Sequence, residues 1–181
     1  MAIPPRILTL VAQRRRFLTI ALVAMAMTVL AGLVVVASRP VLASSPVQGK
    51  VIAISDGDTL TVLVEEQPLK VRLWGIDTPE KAQAYGTQAK IALSDLTFGK
   101  QVTVDVRDID RYSRSVGWVT VAGRPVNLTL VQLGMAWWYE RFAPDAKELR
   151  TAEAKARAAK LGLWADLAPQ PPWEFRKQRK R

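Results

Sequence analysis

From residue 44 onward, apolar and polar positions alternate with a period of two in several short segments. Val102, Val104 and Val106, for example, are separated by polar residues, as in a strand with one buried face. Turn-forming residues such as the Asp56-Gly57 pair stand between the segments. The pattern predicts five strands, over residues 47–54, 59–64, 69–76, 102–106 and 116–121.

Apolar residues take a helical spacing in three other segments. Residues 89–96 share one apolar face, which predicts a helix between the third and fourth strands. A short helix is predicted from Asn127 as its cap, and a longer one begins near a capping box formed by Asp145 and Glu148. Five strands with one helix after the third predict a mainly β fold with α elements. This is a five-stranded Greek-key barrel of the OB type, flanked by three helices.

The N-terminal segment has a different pattern. Residues 17–37 carry no charge and directly follow the three arginines at 14–16. At about 1.5 Å per residue this run can cross a hydrocarbon layer of roughly 30 Å, and its basic flank stays inside. Residues 41–43 also match a signal-peptide cleavage site. The segment is therefore predicted to be a transmembrane anchor or a cleaved signal helix, and the following domain is expected outside the cytoplasm.

The formal net charge of +10 is carried mostly by the two ends of the chain. Residues 44–173 hold 16 basic against 15 acidic residues, so charge alone does not indicate nucleic-acid binding by the domain. We expect three parts: the signal or anchor at 1–43, a folded domain at 44–168, and a loose, proline-rich and then basic tail at 169–181.

The chain contains no cysteine and no histidine. This excludes thiolate nucleophiles, disulfides, cysteine–histidine zinc sites and histidine bases. A bound metal would need oxygen ligands, which favours a hard cation such as calcium or magnesium. Acid–base chemistry would fall to carboxylates, lysines or tyrosines.

Four charged residues stand at predicted turns and strand ends, where small barrels concentrate functional groups: Asp58, Arg72, Asp77 and Glu80. Each has an ordinary structural interpretation, as a hairpin turn, a turn into a helix or a salt bridge. The same residue types also suit chemistry, because aspartates can hold a hard cation, a planar guanidinium can pair with anionic oxygens, and a glutamate can act as a base.

The stretch from Arg72 to Glu80, RLWGIDTPE, resembles the signature of the staphylococcal nuclease family. Other elements of that family occur in the same order over residues 46–166. They are DGDT at 56–59, DRYSR at 110–114, Asn127, Glu153-Ala154 and GLW at 162–164. Because so many separate elements agree, the chain is identified as a member.

The resemblance implies a Ca²⁺ site and a base. Asp58 and Asp77 would supply two carboxylates to the cation, and Thr78 would supply its backbone carbonyl. Glu80 would position or deprotonate the attacking water. The implied reaction is hydrolysis of phosphodiester bonds in DNA and RNA, leaving 3′-phosphates.

The resemblance also implies contacts with the substrate. Arg72 and Arg114 would grip the scissile phosphate, and the ring of Tyr112 would lie beside the nucleotide. Arg111 and Tyr139 are further candidates for substrate binding. We expect the protein to act as a monomer, attached to the membrane if its N-terminal helix is not removed.

Two departures from the family pattern bear on the site. Ser113 stands where the family usually has glycine, and a positive φ there would cost a serine on the order of 1 kcal/mol. The segment at 136–142 is also richer in aromatic residues than the family pattern. Its two adjacent tryptophans, Trp137 and Trp138, could stack on bases or pack against the core or the last helix.

Two other functions are compatible with the same barrel. One is a non-catalytic module that binds nucleic acid, although such domains lose the charged positions that are filled here. The other is a membrane-tethered module that binds proteins or peptides, with its acidic residues in structural roles.

Overall fold

The computed structural model describes residues 45–179. The strands in this range are β1 Val47–Asp56, β2 Thr59–Val64, β3 Gln67–Leu73, β4 Ile76–Asp77, β5 Gln101–Ile109, β6 Ser115–Val121, β7 Arg124–Pro125 and β8 Trp137–Trp138. The helices are α1 Gly86–Thr97, α2 Val126–Gln132, α3 Lys147–Ala158 and α4 Pro172–Gln178, with a 3₁₀ helix at Gly162–Ala165. The predicted helix at 17–37 lies outside the described residues. None of the helices within 45–179 is long and apolar enough to cross a membrane.

A closed barrel forms the centre of the domain. Its strands follow the order β3-β2-β1-β5-β6 with antiparallel neighbours, and a parallel pairing between β3 and β6 closes the sheet. In that pairing Val71 lies opposite Ser115, and Leu73 opposite Gly117. The barrel of five strands predicted from the alternating pattern is confirmed.

The core is built from the apolar positions that alternate along the strands. Residues of the barrel interior such as Leu60, Val71 and Val104 are fully buried. Leu93 of α1 and Leu149 of α3 belong to the same buried cluster. Each such side chain contributes about 1.5–3 kcal/mol relative to its exposed state, so the helices are held to the barrel mainly by apolar burial.

The third predicted strand ends earlier than expected. β3 stops at Leu73, and the chain then turns at Gly75, whose φ of +76° interrupts the extended backbone. The carbonyl of Gly75 accepts a hydrogen bond from the N–H of Tyr139 at 2.9 Å. β4 therefore pairs with β8 in a separate two-stranded sheet, and Asp77 lies on this second piece.

Two predicted helix caps are wrong. Asn127 lies within α2, where it is fully buried, and its side-chain oxygen accepts a hydrogen bond from Val119 N–H at 2.9 Å. The residue that precedes α2 is Pro125. Likewise α3 follows Ala146 with no side-chain cap, so Asp145 and Glu148 form no capping box.

The interpretation of the C-terminus as a loose tail is wrong for residues 172–178, which form α4. Proline at the start of this helix fits the first turn, where no N–H partner is needed. The ring of Trp173 stacks on Tyr139 at 5.0 Å and meets Trp137 edge-on at 5.6 Å. Four α-helices, rather than three, therefore accompany the barrel within the described range.

Candidate active site

Arg72 lies between two buried aspartates at one end of the barrel. Its Nη1 donates to Asp58 Oδ1 at 2.6 Å, and its Nη2 donates to Asp77 Oδ1 at 2.7 Å. Backbone pairing fixes this arrangement, because Arg72 lies opposite Thr59 and the carbonyl of Asp58 accepts from Leu73 N–H at 2.8 Å. One guanidinium therefore bridges carboxylates that come from β4 and from the turn before β2.

Further hydrogen bonds hold Asp58 in place. Its Oδ2 accepts from the N–H of Thr78 at 3.1 Å and from the Thr78 hydroxyl at 3.2 Å, and its Oδ1 accepts from the Thr59 hydroxyl at 3.1 Å. Burial acts to raise the pKa of Asp58, but the charge of Arg72 and these hydrogen bonds lower it below its ordinary value. Asp58 is thus a carboxylate at neutral pH.

Arg176 of α4 also enters the site. Its Nη2 donates to Asp77 Oδ2 at 2.7 Å, and its Nη1 donates to Glu80 Oε1 at 2.7 Å and to Asp77 Oδ1 at 3.3 Å. Burial raises the pKa of Asp77, and the bond from Arg176 acts in the opposite direction. Sequence reasoning missed Arg176, because its run of basic residues indicated only a solvated tail.

Arg114 reaches the same cluster from the loop before β6. Its Nε and Nη2 contact Asp110 Oδ2 at 2.7 and 2.6 Å, and its Nη1 donates to the Thr59 hydroxyl at 3.4 Å. Burial acts to raise the pKa of Asp110, but hydrogen bonds from Arg114 and Tyr112 lower it overall. Ser113 has a φ of 60°, so the serine adopts the left-handed backbone conformation in spite of its cost.

The candidate substrate-binding residues differ in exposure. The Tyr112 ring is 65% exposed, its hydroxyl accepts from Arg111 at 2.8 Å, and the Arg114 guanidinium lies 5.5 Å from the ring centre. Tyr139, in contrast, is half-buried beneath Trp173. The structure therefore brings Tyr112 and Arg111 to an open surface beside Arg114 and covers one face of Tyr139.

Trp137 and Trp138 are both buried. Trp138 belongs to the main core and donates its indole N–H to the carbonyl of Ala143 at 2.9 Å. Trp137 packs edge-on against Trp164, with ring centres 4.3 Å apart. Packing, rather than base stacking, accounts for both side chains.

The donors near Arg72 fit a hard cation. Asp58 and Asp77 are buried carboxylates held by one guanidinium, and Thr78 is the residue that follows Asp77. Within residues 45–179 no three Asp, Glu, His or Cys side chains converge as a metal cluster. Arg176 already supplies positive charge at Asp77. Carboxylate and carbonyl oxygens are the ligand types that calcium and magnesium prefer.

The closed five-stranded barrel, with buried aspartates and arginines at one end, has the architecture of an OB-type domain. The profile of the family described as staphylococcal nuclease homologue matches residues 70–166. "Protein ParB" of Escherichia coli is 46% identical over 143 residues, which cover 72% of this chain and 80% of that protein. "Micrococcal nuclease" of Shigella flexneri is 40% identical over 162 residues, covering 84% and 92%. An "Uncharacterized endonuclease" of Haemophilus influenzae is 43% identical over 132 residues, covering 72% and 74%.

The chain belongs to the staphylococcal nuclease family, as both the matched profile and these relatives show.

Proposed function

We propose that this protein is a calcium-dependent nuclease that hydrolyses phosphodiester bonds of DNA and RNA, leaving 3′-phosphates, outside the cytoplasm. Relatives named nuclease and endonuclease support nuclease activity in general. The observation that carries the proposal is the convergence of Asp58, Arg72, Asp77 and Glu80 with the Arg114 loop at one end of the barrel.

The charges of these residues suit a phosphodiester. Negative charge accumulates on the phosphoryl oxygens during attack, and preorganised guanidiniums stabilise it. Arg72 and Arg114 carry planar forks that can each bond two phosphate oxygens. Asp58, Asp77 and the Thr78 carbonyl would hold Ca²⁺, which when bound supplies Lewis-acid stabilisation of the same oxygens.

Glu80 is the proposed base. It follows Asp77 by three residues, and its carboxylate lies within reach of the same Arg176 guanidinium that contacts Asp77. A glutamate in this position can accept a proton from water near the phosphate. The chain has no histidine, so a carboxylate is the plausible base. The exposed ring of Tyr112, with Arg111 beside it, offers a surface for the neighbouring nucleotide.

An alternative function is non-catalytic binding of nucleic acid by the same barrel. The specific observation in its favour is that Arg72 forms ion pairs with both Asp58 and Asp77, as it would in a structural ion-pair network. The two functions separate on cleavage, since a binding module would retain polynucleotide without degrading it.

The test is degradation of single-stranded DNA and RNA by the full chain purified in mild detergent, with calcium or with a chelator. Arg72→Ala and Glu80→Gln are each expected to lower the rate about 100-fold or more, a typical loss for one charge-stabilising or acid–base group. Exposed residues of α3 provide matched controls, and Arg150→Ala and Glu148→Gln should retain the wild-type rate. Tight binding of polynucleotide without cleavage would contradict the nuclease proposal and support the non-catalytic binding function.

The proposed location depends on residues 1–43. Intact-mass measurement of the protein purified from its own host distinguishes a retained anchor from a cleaved signal. A mature chain beginning near residue 44 would identify a secreted protein, and the full mass would identify an anchored one. Recovery of the full-length protein from the cytoplasm would contradict export.

A further inference from the structure

Arg176 forms hydrogen bonds with Asp77, one of the carboxylates that the proposed cation would need. Both carboxylate oxygens of Asp77 accept from its guanidinium, at 2.7 and 3.3 Å, and Glu80 Oε1 accepts from it at 2.7 Å. Asp77 Oδ1 is also bonded to Arg72. Asp77 is therefore neutralised from two directions by residues of the chain itself.

Aromatic contacts and ion pairs attach the helix that carries Arg176. Trp173 stacks on Tyr139 and touches the edge of Trp137, and the carbonyl of Gln170 accepts from the Gln83 side chain at 3.2 Å. A cavity of about 270 Å³ lies between the loop at 79–85 and this helix, and Phe175 lines it. α4 is thus held over the site by aromatic contacts and ion pairs, with space beneath it.

A divalent cation and Arg176 cannot both occupy the inner side of Asp77. Calcium needs its oxygen ligands at about 2.3–2.6 Å, and a guanidinium already within hydrogen-bond distance of both oxygens lies on the same approach. Two positive groups this close also repel each other strongly in a partly buried site. Binding of the cation therefore requires that Arg176 leave Asp77.

We propose that Arg176 is a built-in, displaceable cation and that α4 is an autoinhibitory latch over the active site. Without a divalent cation, Arg176 neutralises Asp77 and Glu80 and keeps α4 docked. Cation binding releases Arg176, frees the Glu80 carboxylate and loosens α4. This inference rests on the proposed function for the placement of the cation at Asp77.

The first measurement is the affinity of the full chain for calcium by isothermal titration, without nucleic acid. Arg176→Gln removes the competing charge and is expected to tighten calcium binding by roughly 5- to 100-fold, the usual range for coupled sites. Arg179→Gln is the matched control, because Arg179 is exposed, directly follows α4 and makes no contact with the acidic residues. Arg176→Lys keeps a positive charge and should restore weaker binding.

The second measurement is hydrogen–deuterium exchange of residues 172–178 with and without calcium. Because linkage is reciprocal, calcium should speed exchange in this helix of the wild-type protein, whereas α1 should be unaffected. Trp173→Ala weakens docking without touching the acidic residues, so it should tighten calcium binding in the same direction. This variant keeps the proposal testable if Arg176→Gln does not fold.

The outcomes separate the latch from the nuclease. Equal calcium affinity in wild type, Arg176→Gln and Trp173→Ala, with calcium-dependent cleavage intact, would overturn the latch and leave the proposed function standing. Weaker binding in Arg176→Gln would also overturn it, since Arg176 would then support the cation site. Absence of calcium binding and of cleavage in every variant would remove both proposals.

Discussion

Replacing Asn127 by alanine should destabilise the domain by about 2–4 kcal/mol. The side chain is fully buried, accepts from Val119 N–H at 2.9 Å, and donates to the carbonyls of Trp74 at 2.8 Å and Gly117 at 3.3 Å. The Gly117 carbonyl keeps its bond from Trp74 N–H at 2.8 Å. The buried Val119 N–H and the partly buried Trp74 carbonyl lose this partner, at about 1–2 kcal/mol each.

The assay is equilibrium urea unfolding followed by far-ultraviolet circular dichroism. The transition midpoint should fall while its slope stays the same, because the surface exposed on unfolding does not change. Gln132→Ala, an exposed change at the end of the same helix, should stay within about 0.5 kcal/mol of wild type. A loss below about 1 kcal/mol for Asn127→Ala would refute the assignment of Asn127 as a buried hydrogen-bonding link between α2, β6 and the turn after β3.

Three further changes test other features by the same unfolding assay. Ser113→Gly should stabilise the domain by about 0.5–1 kcal/mol, because it relieves a φ of 60° on a serine, and a loss of stability would contradict this reasoning. Gly134→Ala should cost at least about 3 kcal/mol, since its Cβ would lie 2.1 Å from the Leu161 carbonyl oxygen at a φ of +67°, and a loss below about 1 kcal/mol would count against it. Burial raises the pKa of Glu153 above its ordinary 4.5, although Arg157 acts to lower it. The stability from this group is therefore present below the unfolded-state pKa and is lost as pH rises through the folded-state pKa. The unfolding free energy of Glu153→Gln minus that of wild type should accordingly be more favourable at about pH 8 than at about pH 4. The same difference at both pH values would exclude this effect.

The barrel and most of its site could be predicted from the sequence because the signals are local. Alternation along β2 and β5 is visible in the residues themselves, and Asp58, Arg72, Asp77 and Glu80 stand in short recognisable segments. The conformation at Ser113 was not predictable in this way, because the cost of a positive φ for serine is outweighed by contacts that the sequence does not show.

The remaining features depend on contacts between distant residues. Arg176 meets Asp77 across 99 positions of chain, and nothing in the basic run near it specifies that partner. Asparagine is common at helix caps, which is why the sequence predicts a cap at Asn127. Its partners are instead Val119, Gly117 and Trp74, which only the assembled barrel brings to it. Side chains such as Ser, Asp and Asn have several local uses, so tertiary structure decides which one applies.

The parallel contact between β3 and β6 also bears on when the two arginines of the proposed site come together during folding. Arg72 lies opposite Val116 along this contact, and Arg114 occupies the position just before β6. Both arginines therefore lie beside the contact between β3 and β6, the strands at the two ends of the order β3-β2-β1-β5-β6. Bringing residues 71 and 115 together closes a long loop, which is entropically costly and is expected late in folding. Before β3 and β6 pair, the two arginines are far apart. The proposed active site would therefore be complete only once the barrel has closed.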